Sequence, residues 1–142
     1  MYEWKKVILK SNDTMKDAIR ALNEEALRIV MIEDDQKKLL GTITDGDIRR
    51  ALTKHMDMAS ELSQIMHVNP ISISTDVSSE QILLIMQKNN VMQLPIVDKK
   101  RKIIGLKTLQ NIYEIQKYDN TVFLMAGGFG KRLMPLTNDI PK

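Results

Sequence analysis

Gly41, Thr44 and Asp47 stand three residues apart in the stretch GTITDGD, and two cations, Arg49 and Arg50, follow after Ile48. A carboxylate in the first turn of a helix can accept hydrogen bonds from both hydroxyls of a ribose, and its charge strengthens the pair. A threonine hydroxyl and the free N–H groups of a helix N-terminus suit a phosphate. Arg49 and Arg50 are within reach as counter-charges, although only one of them can face a cleft. The same residues also have a plainer use. Asp45 or Asp47 can cap a helix and interact favourably with its dipole, leaving both arginines in solvent. Spacing alone leaves both readings open.

The pattern returns at a constant offset of 64 positions as Gly105, Thr108 and Asn111. An amide replaces the carboxylate, so hydrogen bonds to a ribose remain possible without charge assistance. Tyr113 and Glu114 replace the arginine pair, and Glu114 would repel a phosphate if it faced the cleft. The expectation is one competent site at most, centred on Thr44 and Asp47.

A second set with chemical potential closes the chain in TVFLMAGGFGKRLMPLTNDIPK, residues 121–142. A short apolar strand, Val122–Met125, runs into a loop whose glycines, Gly127, Gly128 and Gly130, leave backbone N–H groups open to a polyphosphate. Lys131 and Arg132 place positive charge where pyrophosphate would leave, and Lys142 follows the second proline of the segment.

The elements that carry these residues come from an internal repeat. Residues 7–52 overlay residues 71–116 without gaps, with Val7 on Ile71, Thr14 on Ser78, Asp34 on Asp98 and Ile48 on Ile112. Each copy predicts strand, helix, strand, strand, helix. Thr14 and Ser78 each begin a helix as capping hydroxyls, with a polar side chain three residues on that can reach back. Met15, Ala18, Ile19 and Leu22 form a stripe at helical spacing, repeated by Ile82, Leu83 and Met86. Strands at 29–32 and 39–44 flank the polar EDDQKK, and strands at 94–97 and 103–107 flank DKKRK, as hairpins with solvated tips. A strand is also expected at 71–73. The expected division is 1–60 for the first unit, 61–118 for the second and 119–142 for the closing segment. One unit has too few apolar positions to cover its sheet, so the two should pack together.

Composition narrows the classes. Of 142 residues 43% are apolar and 27% charged, as in a globular protein, and the net charge of +3 is too mild to argue for nucleic acid. There is no cysteine, which excludes disulfides and thiolate metal sites. Apolar runs are far too short for a membrane span, and the N-terminal MYEWKKVILK lacks a secretory pattern, so a cytoplasmic location with no membrane partner is expected. KKRK at 99–102 reads as a solvated hairpin tip rather than a nucleic-acid patch, His55 and His67 lack partners at metal-ligand spacing, and the ten methionines read as core filler. Trp4 reads as an anchor against the folded module.

The run IVMIEDDQKKLLGTITDGDIRRAL, followed by MHVNPISI and MQLPIVDKKRKIIGLKTLQNI, resembles a tandem pair of CBS domains, also called a Bateman module, over roughly residues 1–118. The resemblance implies an α+β fold of two βαββα units packed as a pseudo-twofold pair, with two clefts between them that in many members bind adenosine nucleotides. AMP, ADP or ATP would then be regulatory ligands on Thr44, Asp47, Arg49, Arg50, Thr108 and Asn111. It further implies a homodimer formed through the module.

The closing segment resembles the N-terminal signature of sugar-phosphate nucleotidyltransferases such as mannose-1-phosphate guanylyltransferase. That implies an α/β domain in which a sugar 1-phosphate attacks the α-phosphorus of an NTP with Mg²⁺, giving NDP-sugar and pyrophosphate. Gly127, Gly128, Gly130 and Lys131 would wrap the triphosphate, while Arg132 and Lys142 would serve its phosphates or the attacking sugar phosphate. The family's metal-binding aspartates and sugar pocket would follow Lys142. The 142 residues alone are therefore expected to be the non-catalytic, regulatory part of a longer transferase in nucleotide-sugar biosynthesis, the end strand packing on its own module or on a partner. A ligand-free dimerisation scaffold is the alternative. The stretch TDGDIRRAL also resembles CBS pairs attached to arabinose-5-phosphate isomerases, although there the catalytic domain precedes the module, whereas here Met1 opens onto it.

Overall fold

A computed structural model describes residues 3–115. The expected strand at Val122–Met125, the glycines and cations from Gly127 to Arg132, Lys142, and the expected packing of that end strand lie outside the described residues.

The first unit runs from a 3-10 turn, Trp4–Val7, through β1 (Ile8–Lys10), α1 (Met15–Glu24), β2 (Val30–Glu33) and β3 (Leu39–Ile43) to α2 (Asp45–Thr53). A second 3-10 turn, Leu62–Gln64, and the short strand β4 (His67–Val68) follow. The second unit has α3 (Ser79–Asn89), β5 (Gln93–Val97), β6 (Ile103–Thr108) and α4 (Leu109–Ile115). β1 pairs parallel to β2, β2 antiparallel to β3, and β3 antiparallel to β4, while β5 and β6 form an antiparallel pair.

The helix starts follow from capping chemistry. The Thr14 hydroxyl and N–H both donate to Asp17 Oδ2, at 2.7 and 3.1 Å, and Ser78 and Gln81 form the same reciprocal box on α3. Met15, Ala18 and Ala21 then point into the core of the first unit with Val30, Ile32, Ile43 and Ile48. Ile73, Ile82, Met86, Leu94 and Ile112 make the equivalent core of the second.

The hairpin turns are duplicated in atomic detail. Asp34 Oδ1 accepts from the N–H groups of Gln36 and Lys38, and Asp98 Oδ1 accepts from those of Lys100 and Lys102. Lys37 and Arg101 both take left-handed backbone at φ 63°. The two turns meet. Leu39 N donates to Arg101 O at 2.9 Å and Ile103 N donates to Lys37 O at 3.2 Å, with Lys38 and Lys102 bridged antiparallel between them. Every residue in this contact maps onto its partner at the 64-position offset, so a pseudo-twofold axis passes between Lys38 and Lys102. Below it Val7, Leu27, Ile29, Met31 and Leu39 of the first unit pack with Ile103 of the second, and Trp4, Val97 and Leu106 lie against them. Trp4 is thus an anchor at the junction of the units.

Two details differ from expectation. The strand expected at 71–73 is a single parallel bridge between Ile73 and Ile96. Pro95 occupies the position of Met31 and has no N–H to hold a further rung. Conversely, β4 lies between the overlaid stretches 7–52 and 71–116, where the repeat predicts no element. Around the expected boundary at residues 60 and 61 the chain still packs with the first unit. Met15 N donates to Ser60 O, Leu62 N donates to Asp13 O, and the Leu62 side chain lies in the first core.

The two Thr14 donors hold the Asp17 carboxyl below its ordinary value of 3.8. A depressed pKa means that the carboxylate stabilises the fold at neutral pH and loses this effect as pH falls through the folded-state value. Asp17→Asn should lower stability at pH 7 by up to about 1 kcal/mol, and the difference from the parent chain should shrink below the ordinary aspartate range. Urea unfolding at neutral and acidic pH measures both.

Candidate nucleotide clefts

Packing about the axis leaves two clefts, each built from the start of the last helix in one unit and the α–β turn of the other. The larger, with a volume of about 1060 Å³, sets Thr108, Gln93 and Tyr113 against Ala26–Arg28 of the first unit. The smaller, of about 370 Å³, sets Thr42 and Thr44 against Asn90, Val91 and Met92 of the second. The 64-position offset turns Thr44 into Thr108 and residues 26–28 into 90–92, so the clefts are two versions of one site.

Their walls differ in charge. Glu24, Glu25, Asp45 and Glu114 line the larger cleft, and Arg28 is the single cation among its described lining residues. Glu25 is partly offset by Lys6 at 3.4 Å. Arg28 holds left-handed backbone at φ 55°, a conformation that side chains other than glycine and asparagine seldom take. The smaller cleft has no carboxylate among its lining residues and borrows His67 from β4.

The sequence-predicted residues do not gather at one point. Thr44 lines the smaller cleft. Asp47 is buried behind it, where Oδ2 accepts from the Thr44 N–H and hydroxyl, both at 2.8 Å, and Oδ1 from the Arg50 guanidinium. Asp47 and Arg50 border a separate cavity of about 100 Å³ with Lys54 and Gln64. Arg49 lies in an outer groove between α1 and α2 with Ile19 and Leu52. Asp47 therefore serves as the capping carboxylate of α2 in this state, the plainer of its two uses. In the second unit the Thr108 hydroxyl donates to Asn111 Oδ1 at 2.8 Å, while Asn111 N–H donates back to it at 3.2 Å. The amide reproduces the cap, and the cleft on its side is the roomier one.

Arg28 and Glu24 were not singled out from the sequence, and Asp45 was read only as a possible cap. Arg28 and Glu24 reach the Thr108 cleft from the opposite unit, so only the repeat offset applied to a known cleft could have found them. Gly41 has a role beyond the motif. A Cβ there would come within 2.8 Å of both His67 O and Met66 Sδ, because β4 crosses β3 at this point.

The profile of the CBS domain matches residues 4–54 and 62–116. The chain belongs to the CBS domain family. Its two units form a CBS pair of mixed α and β structure. The crystal structure of the CBS domain pair of protein MJ0100 in complex with 5′-methylthioadenosine and S-adenosyl-L-methionine is 28% identical, with a TM-score of 0.68 over 76% of this chain and 85% of that one. Among curated proteins, inosine-5′-monophosphate dehydrogenase of Methanocaldococcus jannaschii is 29% identical over 79% of this chain and 22% of its own length. Arabinose 5-phosphate isomerase KdsD of Francisella tularensis is 27% identical over 77% and 33%. The chain thus spans between about a fifth and a third of these curated relatives. Among the described residues no helix is long and apolar enough to cross a membrane, and no group of three or more His, Cys, Asp or Glu is placed to hold a metal.

Gly41→Ala should cost about 1–3 kcal/mol, because the added methyl meets a backbone carbonyl that cannot turn aside. Gly105→Ala meets only the end of the Ile96 side chain at 3.2 Å and should cost less than about 1 kcal/mol. Denaturant midpoints of the two variants measure the contrast.

Proposed function

We infer that this CBS pair is a regulatory module that senses an adenosine ligand in its inter-unit clefts. The observation that carries the reading is the pair of equivalent clefts, each joining a threonine hydroxyl and a helix start to the turn of the other unit. The likeness to a CBS pair holding 5′-methylthioadenosine and S-adenosyl-L-methionine supports it. Occupying a cleft touches both units at once, so a ligand shifts how they pack only by the difference in its affinity for the two arrangements.

The wall charges divide the ligands. Four carboxylates against one guanidinium give the Thr108 cleft a negative field that opposes a polyphosphate and favours an uncharged or cationic adenosine. The Thr44 cleft, free of lining carboxylates, is the place for a phosphorylated adenylate such as AMP. There Thr44 would meet the phosphate. Asp47 and Asn111 would engage a ribose only by exchanging a cap hydrogen bond for a ligand hydroxyl, with Arg50 released as counter-charge.

The segment 121–142 supports a parent enzyme of the sugar-phosphate nucleotidyltransferase class, with Gly127, Gly128, Gly130 and Lys131 on the triphosphate and Arg132 and Lys142 on the phosphates. Mg²⁺ would belong to that transferase domain, since no cluster among the described residues fits it. In this reading the module reports adenosine-ligand status to nucleotide-sugar synthesis through α4, which leads into the segment. A second reading, a ligand-free scaffold that pairs with another copy, draws on Leu52 of α2 and Leu84 of α3, which are 45% and 64% exposed.

Titration calorimetry with adenosine, 5′-methylthioadenosine, S-adenosyl-L-methionine, AMP and ATP separates the readings. A like-charge contact at about 4 Å costs about 1 kcal/mol in water and about 4 near a protein surface, so ATP should bind the Thr108 cleft at least about fivefold more weakly than 5′-methylthioadenosine. Thr108→Val should weaken the 5′-methylthioadenosine site, and Thr44→Val the AMP site. Silence across the panel would leave the scaffold reading standing.

A further inference from the structure

We propose that the two hairpin tips joined at the pseudo-twofold axis form a second ligand site, distinct from the clefts, that binds a short oligophosphate such as pyrophosphate. Each tip taken alone is a solvated turn. Together they set six cations, Lys37, Lys38, Lys99, Lys100, Arg101 and Lys102, around one junction.

Three observations carry the inference. First, the junction forms a depression of about 510 Å³ lined by Gln36, Lys38, Lys100 and Lys102, with no acidic residue in its wall. Second, the cations outnumber the acids, six against Asp34, Asp35 and Asp98. None of the six cations belongs to an ion pair among the described residues. Asp34 and Asp98 are committed to backbone N–H groups within their own turns. Asp35 alone remains as an exposed carboxylate in these turns. Third, the arrangement works against itself unless an anion is present. Lys38 and Lys102 face each other directly across a backbone bridge, where like charges destabilise.

The symmetry names the ligand. Lys38 and Lys102 are equivalent under the axis, and bridged antiparallel residues lie about 4.5–5.5 Å apart at Cα. Pyrophosphate has its own twofold relation between two phosphoryl groups, so each can meet one ammonium group and the flanking cations. Charge-assisted hydrogen bonds from lysine to phosphate oxygens are short and strong. A depression of this size takes a few phosphoryl groups rather than a stretch of duplex. The proposal does not depend on the adenosine reading, because no residue of this junction lines either cleft.

The test is calorimetric titration of the full chain with pyrophosphate and orthophosphate, with a single-stranded DNA 20-mer as a third probe. Pyrophosphate should bind at least tenfold tighter than orthophosphate. The double variant Lys38→Gln with Lys102→Gln should weaken it at least tenfold, and so should Lys100→Gln with Lys102→Gln, confined to the second tip. Lys88→Gln, an exposed cation on α3, should change nothing. Melting temperatures and the 5′-methylthioadenosine titration establish that each variant keeps its fold and its clefts. Equal affinity for the two phosphates, binding unchanged in the double variants, or DNA binding tenfold tighter than pyrophosphate would each overturn the proposal.

Discussion

A small sheet flanked by two helices on one side leaves its other face apolar and wet. This chain resolves that by placing the same shape against itself, so that Met31, Leu39 and Ile103 share one interior. The rest of the molecule follows from that shared interior. It fixes where the hairpin tips meet, and it leaves gaps on either side of the axis where helix starts of one unit approach turns of the other. The clefts are what remains after two curved sheets have packed as closely as their side chains permit.

Duplication also frees the two gaps to diverge. The backbone frame is common to both, including the hydroxyl at Thr44 or Thr108 and the cap made by Asp47 or Asn111. The walls are not. Glu24, Glu25, Asp45 and Glu114 line the Thr108 cleft, and no carboxylate lines the Thr44 cleft. One architecture thereby presents two electrostatic environments without a second fold.

Much of this architecture was legible from residue order. The repeat offset, the caps at Thr14 and Ser78, and the hairpins with Asp34 and Asp98 at matching places are local signals, encoded within a few residues. The capping alternative for Asp47 was legible as well, and it is the use the structure displays. What escaped was non-local or too short. β4 is two residues long, below the length at which alternation can be seen. Arg28 reaches a cleft whose hydroxyl lies 80 positions away in the chain. The close approach that demands Gly41 depends on a strand that leaves no trace in the pattern. Pro95, by contrast, was in plain view, and the rung it removes could have been anticipated from the missing donor alone.

β4 has a mechanical meaning. His67 contributes its backbone to the first sheet and lines the wall of the Thr44 cleft, and the chain then runs directly into the second unit. His67 thereby ties the cleft wall to the segment that joins the units. The wall of that cleft and the connection between the halves are therefore separated by only a residue or two.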